Sequence, residues 1–170
     1  MHVLAFGTFI LRYGIALVLG GLIGWEREAA GKDAGVRTEM LVAGGASLLT
    51  MVALLLPNVM GIDTAKFPVN PDRIIANIVT GIGFLCGGII FKSEEHTKGD
   101  PADAPKEQHT RGLTTAALIW VTATIGIIVG LGFIKHAVTV VLISLAMLYA
   151  TSWLKKRKRT GQKQENGSGH

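Results

Sequence analysis

The groups in this sequence best suited to chemistry are arginines and carboxylates standing beside threonine hydroxyls. Glu26 and Arg27 are adjacent, Arg37, Thr38 and Glu39 follow after a short polar stretch, and Arg111, Thr114 and Thr115 come in the second half. Arginine presents a planar fork of donors that fits a carboxylate, and threonine both donates and accepts. Brought together, these residues could close a network of charge-assisted hydrogen bonds or hold a ligand. Interfacial anchoring with helix capping is the plainer use of the same residues.

A second polar set lies further along. Asn70-Pro71-Asp72-Arg73 reads as a helix start, with proline in the first turn and the Asp72 carboxylate favoured by the helix dipole. Asn77 comes about one turn later and needs an amide or hydroxyl partner at that depth, with Thr80 as a further polar group to weigh. Cys86, between Leu85 and Gly87, serves either as a small packing residue or as a thiol in a functional path. It is the only cysteine, which excludes a disulfide within the chain and a cysteine-built zinc site. No Ser/His/Asp arrangement, phosphate-binding loop or His-x-x-x-His pair is present, and Gly81-x-Gly83 lacks the third glycine of a dinucleotide turn. The expectation is a protein that is not an enzyme and carries no cofactor; whether it binds a metal is left open.

The elements that must position these groups follow from composition. The chain has 170 residues, 49% of them hydrophobic, with 22 glycines and a mean hydropathy of +0.42, too apolar for an ordinary soluble domain. Its net charge of +5 is accounted for by the run Lys155, Lys156, Arg157, Lys158, Arg159, which leaves no basic face for nucleic acid. A hydrocarbon core about 30 Å thick needs roughly 20 apolar residues as helix, and lipid leaves an unpaired peptide group unsatisfied. Stretches of that kind predict an all-α, polytopic membrane helix bundle with about five transmembrane helices, over 6–25, 40–57, 74–91, 112–132 and 136–154. Pro57 is expected to close the second helix. The first span contains Arg12, whose long side chain can reach the headgroups. A cleaved signal peptide fits it less well, because no small-x-small site follows.

Residues 1–154 thus form one transmembrane domain, followed by a basic, disordered tail over 155–170 that ends in a Gly-Ser-Gly-His remnant outside the fold. Residues 93–110, polar and containing Pro101 and Pro105, read as a mobile loop. Five crossings place Arg27, Lys32 and Arg37, then Lys92, Lys98, Lys106 and Arg111, then the basic run and Lys163 on one side. Only Arg12, Lys66, Arg73 and Lys135 fall on the other. Lysine and arginine are retained in the cytoplasm, so the C-terminus is expected inside and the N-terminus outside.

Helices in lipid attract through close backbone contact, which small residues four apart allow. Ala16, Gly20 and Gly24 form such a stripe on the first helix, Ala43 and Ser47 on the second, Gly83 and Gly87 on the third, and Thr122, Gly126 and Gly130 on the fourth. These stripes pack the protomer, or form a homodimer face or a substrate path. The fifth helix, richer in Val, Ile and Leu, is expected to face lipid. His136 at its start reads as an interfacial histidine.

Four ordered stretches, Gly21-Leu-Ile-Gly-Trp-Glu-Arg-Glu28, Ala34-Gly-Val-Arg-Thr38, Gly81-Ile-Gly-Phe-Leu-Cys-Gly-Gly-Ile-Ile90 and Arg111-Gly-Leu-Thr-Thr-Ala-Ala117, resemble the MgtC/SapB family of bacterial inner-membrane proteins. The likeness covers roughly residues 10 to 150 and matches a short form that has only the membrane domain. It implies a multi-pass protein of the bacterial plasma membrane. In the MgtC branch it implies a link to growth in low magnesium, acid stress and virulence, and restraint of the F-type ATP synthase. Carried over by position, the motif residues are Glu26, Arg27, Arg37, Thr38, Asp72, Arg73, Asn77, Cys86, Arg111, Thr114 and Thr115.

This chain departs from the family pattern in three places. Glu39 stands where the family often has histidine, the connection over 94–110 is longer, and a short basic tail replaces the ACT-like domain of many members. The resulting expectation is a non-enzymatic protein that modulates a membrane partner, the F-type ATP synthase in the MgtC branch, or a low-magnesium or acid stress response. The competing expectation is a transporter or channel for magnesium or protons.

Overall fold

The computed structural model describes residues 5–62, 71–95 and 112–167, and it is all-helical. The five helices are α1 (Phe6–Ala29), α2 (Val36–Val59), α3 (Pro71–Glu95), α4 (Leu113–Leu131) and α5 (Ile134–Gly167). Each contains a stretch long and apolar enough to cross a membrane: Phe6–Ala29, Val36–Pro57, Asp72–Phe91, Leu113–Leu131 and Ile134–Leu154. The expected fold class and number of spans are therefore those observed. Asn70 and residues 96–111 of the expected polar loop, Arg111 included, lie outside the described residues.

Local chemistry sets where the helices stop. α1 ends in a reversal at Gly31, whose φ of 64° suits a residue without a Cβ. There the amide of Gly31 bonds the Glu28 carbonyl and that of Lys32 the Arg27 carbonyl, which satisfies the last turn. α4 ends in the same way at Gly132, with the Gly132 amide on the Val129 carbonyl and that of Phe133 on the Ile128 carbonyl. α5 then begins almost at once, and the Phe133 ring meets His136 edge to face at 5.7 Å.

Four helix ends differ from the sequence expectation. Pro57 does not close α2 but lies inside its last turn, and the helix reaches Val59. α1 and α3 extend past the apolar stretch into Glu26–Ala29 and Lys92–Glu95, because charged residues with good helix propensity continue a helix already begun. For the same reason α5 does not give way to irregular chain at Lys155; it runs as helix to Gly167, through a segment rich in lysine, arginine and glutamine. Residues 168–170 lie outside the description.

The helices are not equivalent. α1, α2 and α4 form the packed centre, with α3 laid against α4 and α2, and α5 against α4 and α1. One apolar cluster joins Ala16, Leu19 and Ile23 of α1 to Ala43, to Leu118, Ile125 and Val129 of α4, and to Ala137, Val141 and Leu148 of α5. The other joins Ile78 and Ile82 of α3 to Ala46 and to Ile119, Ala123 and Ile127 of α4. Elsewhere α3 and α5 present large apolar side chains outward, among them Phe84, Phe91, Leu142, Ile143 and Met147. Such a surface suits hydrocarbon rather than water.

Candidate functional site

The central helices touch backbone to backbone where glycine replaces a side chain. A Cβ on Gly20 would run into the Glu39 carbonyl, and one on Gly24 would come within 2.6 Å of the Val36 Cα. Between α2 and α4, a Cβ on Gly126 would meet the Ala43 carbonyl and one on Gly130 would lie 2.8 Å from the Ser47 carbonyl. The register is regular: Glu39, Ala43 and Ser47 on α2 face Thr122, Gly126 and Gly130 on α4. Gly83 and Gly87 on α3 behave differently. No described atom lies within 4 Å of where their Cβ atoms would be, so among the described residues neither makes a packing contact of this kind.

At the end of the bundle where α1 hands over to α2, the charged residues converge. The Arg27 guanidinium is buried, 4% exposed, and grips the neighbouring carboxylate, with Nε donating to Glu26 Oε2 at 2.6 Å and Nη2 at 2.5 Å from the same oxygen. One residue on, the Glu28 carboxylate accepts the amide of Val36 at 3.0 Å. Val36 is the first residue of α2, so this is an anion on a free helix N-terminus, with both hydrogen bond and dipole in its favour. Gly35 leaves the room, because a Cβ there would lie 2.7 Å from Glu28 Oε2.

Glu39 is one turn further in and completely buried, at 0% exposure. The Thr122 hydroxyl lies within hydrogen-bonding reach of it, and the Arg27 charge acts on it from α1. In the geometry shown, however, neither carboxylate oxygen nor the Thr122 hydroxyl closes a well-formed hydrogen bond with a described residue. Its field extends to Cys86 on α3, which is half-buried and whose thiol donates to the Ala116 carbonyl of α4 at 3.2 Å. Thr115, at the start of α4, is buried as well.

Glu26, Arg27, Cys86 and Thr115 are thus held near one end of the bundle. Arg37, Thr38 and Thr114 are at that end too, but their side chains are exposed, since they point away from the α1–α2–α4 contact. Arg111 falls outside the described residues. Asp72, Arg73 and Asn77 lie exposed on the early turns of α3. Thr80 returns its hydroxyl to the Ala76 carbonyl of its own helix at 2.9 Å and offers Asn77 no bond. At the far end of the bundle Arg12 donates from Nη1 to the Gly130 carbonyl at 2.9 Å, closing the end of α4.

Glu39 stands in the sequence among the polar residues before the second span, but it is not one of the motif residues carried over by position, and its burial between α1 and α4 is not visible from composition. Continuing the Ala43–Ser47 stripe back by one turn lands on it, and that spacing was the available signal.

A bundle of five membrane helices, with a charged, buried junction at one end of its three-helix centre, defines a small polytopic membrane protein. The chain belongs to the MgtC family, whose model matches residues 13–157. It is 38% identical over 132 residues to Protein MgtC of Brucella abortus, covering 78% of this chain and 46% of that one. It is 36% identical over 137 residues to Protein MgtC of Salmonella typhimurium, covering 81% of this chain and 49% of that one. To the Escherichia coli protein named "Putative magnesium transporter YhiD" it is 38% identical over 125 residues, or 73% of this chain and 51% of that one. The chain spans about half the length of these curated relatives. No solved structure matches it.

Proposed function

We propose that this chain is a non-enzymatic, multi-pass protein of the bacterial inner membrane that modulates a membrane-embedded partner complex. The F-type ATP synthase is the partner suggested by the family's MgtC branch, and a low-magnesium or acid stress response is the setting. The observation that carries this reading is the bare face of α3. Asn77 and Thr80 are exposed there, nothing lies within 4 Å of the Cβ positions of Gly81, Gly83, Gly87 and Gly88, and Phe84 is 84% exposed. Small residues and an amide on a lipid-facing helix are what a second transmembrane helix packs against. The bundle's own cohesion does not use this face, so it is available to a partner or to a second copy. In this reading the C-terminus is cytoplasmic, and the Glu26–Arg27–Glu39 junction holds the inner ends of the helices in register.

A second reading has one specific observation behind it. Glu39 is a carboxylate buried within a membrane-spanning helix, and groups of that kind often mark an ion path. The E. coli relative's name, with its reference to magnesium transport, points the same way. One preparation separates the two. The purified chain is reconstituted with F-type ATP synthase in vesicles carrying magnesium- and proton-sensitive dyes. Modulation predicts slowed ATP turnover, relieved by Gly83→Leu, with magnesium and proton dye signals recorded before ATP is added equal to those of vesicles lacking the chain. Ion movement with unaltered ATP turnover would overturn it in favour of transport.

A further inference from the structure

The carboxyl of Glu39 has surroundings that the proposed function leaves unexplained. It is fully buried, neither of its oxygens closes a well-formed hydrogen bond with a described residue, and the Thr122 hydroxyl within reach of it is equally unengaged. Among the described residues, the charged and titratable groups that face it can be named helix by helix. From α1 comes Arg27, already engaged by Glu26. From α3 comes Cys86, whose thiol is engaged by the Ala116 carbonyl. From the described residues of α4 comes the neutral hydroxyl of Thr122, Arg111 lying outside the description. On α2 itself Arg37 is exposed and turned away.

An ionised carboxylate without a partner is strongly disfavoured in a low-dielectric interior. A metal ion would need six or more oxygens around it, and among the described residues no group of three or more His, Cys, Asp or Glu side chains gathers to hold one. A proton needs no such gathering. Once protonated, the carboxyl becomes a neutral donor, and the Thr122 hydroxyl can accept from it.

We propose that Glu39 is a proton-binding site whose loading decides which carboxylate Arg27 holds. With the proton in place, Arg27 stays on Glu26. When the proton leaves for water at the α1–α2 end, the negative charge left on Glu39 draws the guanidinium inward, and Glu26 is released to solvent. The site would therefore couple proton concentration to the way α1 meets α2. This inference goes beyond the proposed function and stands whether or not a partner complex is engaged.

The test is infrared spectroscopy of the full chain in lipid bilayers at neutral pH, reading the carbonyl stretch of a protonated carboxylic acid. The wild-type protein should show this band, shifted on transfer to heavy water, and Glu39→Gln should lose it while keeping its helix content. Glu26→Gln leaves Glu39 in place but deprives Arg27 of its partner, and the band should be lost there too. A wild-type spectrum without the band, or a band that persists in Glu39→Gln, would overturn the site. A band unchanged in Glu26→Gln would overturn the exchange of Arg27.

Discussion

A single carboxylate fixes where α2 starts. Glu28 ends one helix and accepts the first amide of the next, so the turn over 30–35 is tied at both ends. Glu28→Ala should lower stability in detergent by about 0.5–2 kcal/mol, the range for losing a helix cap, with Glu28→Gln intermediate; thermal unfolding followed by circular dichroism would read it. Arg12 does comparable work on the other side of the bundle, where its charged donor meets the Gly130 carbonyl. Arg12→Ala should cost about 1.5–3 kcal/mol, the range for a hydrogen bond to a charged group, in the same assay.

Residues such as these are the least legible part of the sequence. Arg12 reads as an interruption in a span, and Glu39 as one of a group open to either a polar network or plain interfacial anchoring. Their roles come from contacts with helices far away along the chain, which local spacing does not encode. Glu26 and Arg27 were easier to single out, because their partnership is between neighbours.

At the scale of the helix, the same pattern of small residues has two different fates. Gly126 faces the backbone of α2, whereas Gly83 faces nothing among the described residues. Gly126→Ala should therefore destabilise by about 1–3 kcal/mol through overpacking. Gly83→Ala should leave the protomer's stability unchanged or raise it by up to about 1 kcal/mol, since alanine is the better helix former. Denaturation of both variants in parallel checks the contrast, and weakened self-association or partner capture by Gly83→Leu alone would mark α3 as the outward-binding helix.

The stripes themselves were plain in the sequence, and so were the five spans, because lipid demands about twenty uninterrupted apolar residues per crossing. Which stripe meets which helix was not, since every small-residue stripe offers the same invitation to pack. The helix ends blurred for a related reason: charged residues such as those after Leu154 neither require nor forbid helix once they leave the apolar stretch.

For the whole molecule, five crossings require the α1–α2 connection and the C-terminal end of α5 to share one side of the membrane. Cells expressing Gly31→Cys in a Cys86→Ser background should be protected from an impermeant thiol reagent until they are opened, and a cysteine placed at Gly167 should behave identically. Labelling of one but not the other in intact cells would refute the five-crossing arrangement.

The uneven packing of the bundle has a further consequence. α1, α2 and α4 grip one another through backbone contacts and polar ties, while α3 and α5 rest on that trio along narrow apolar seams. Under rising concentrations of a harsh detergent the protein should come apart in stages. The outer pair would dissociate first, and the trio would persist as a compact remnant whose dissolution is set by its glycine crossings.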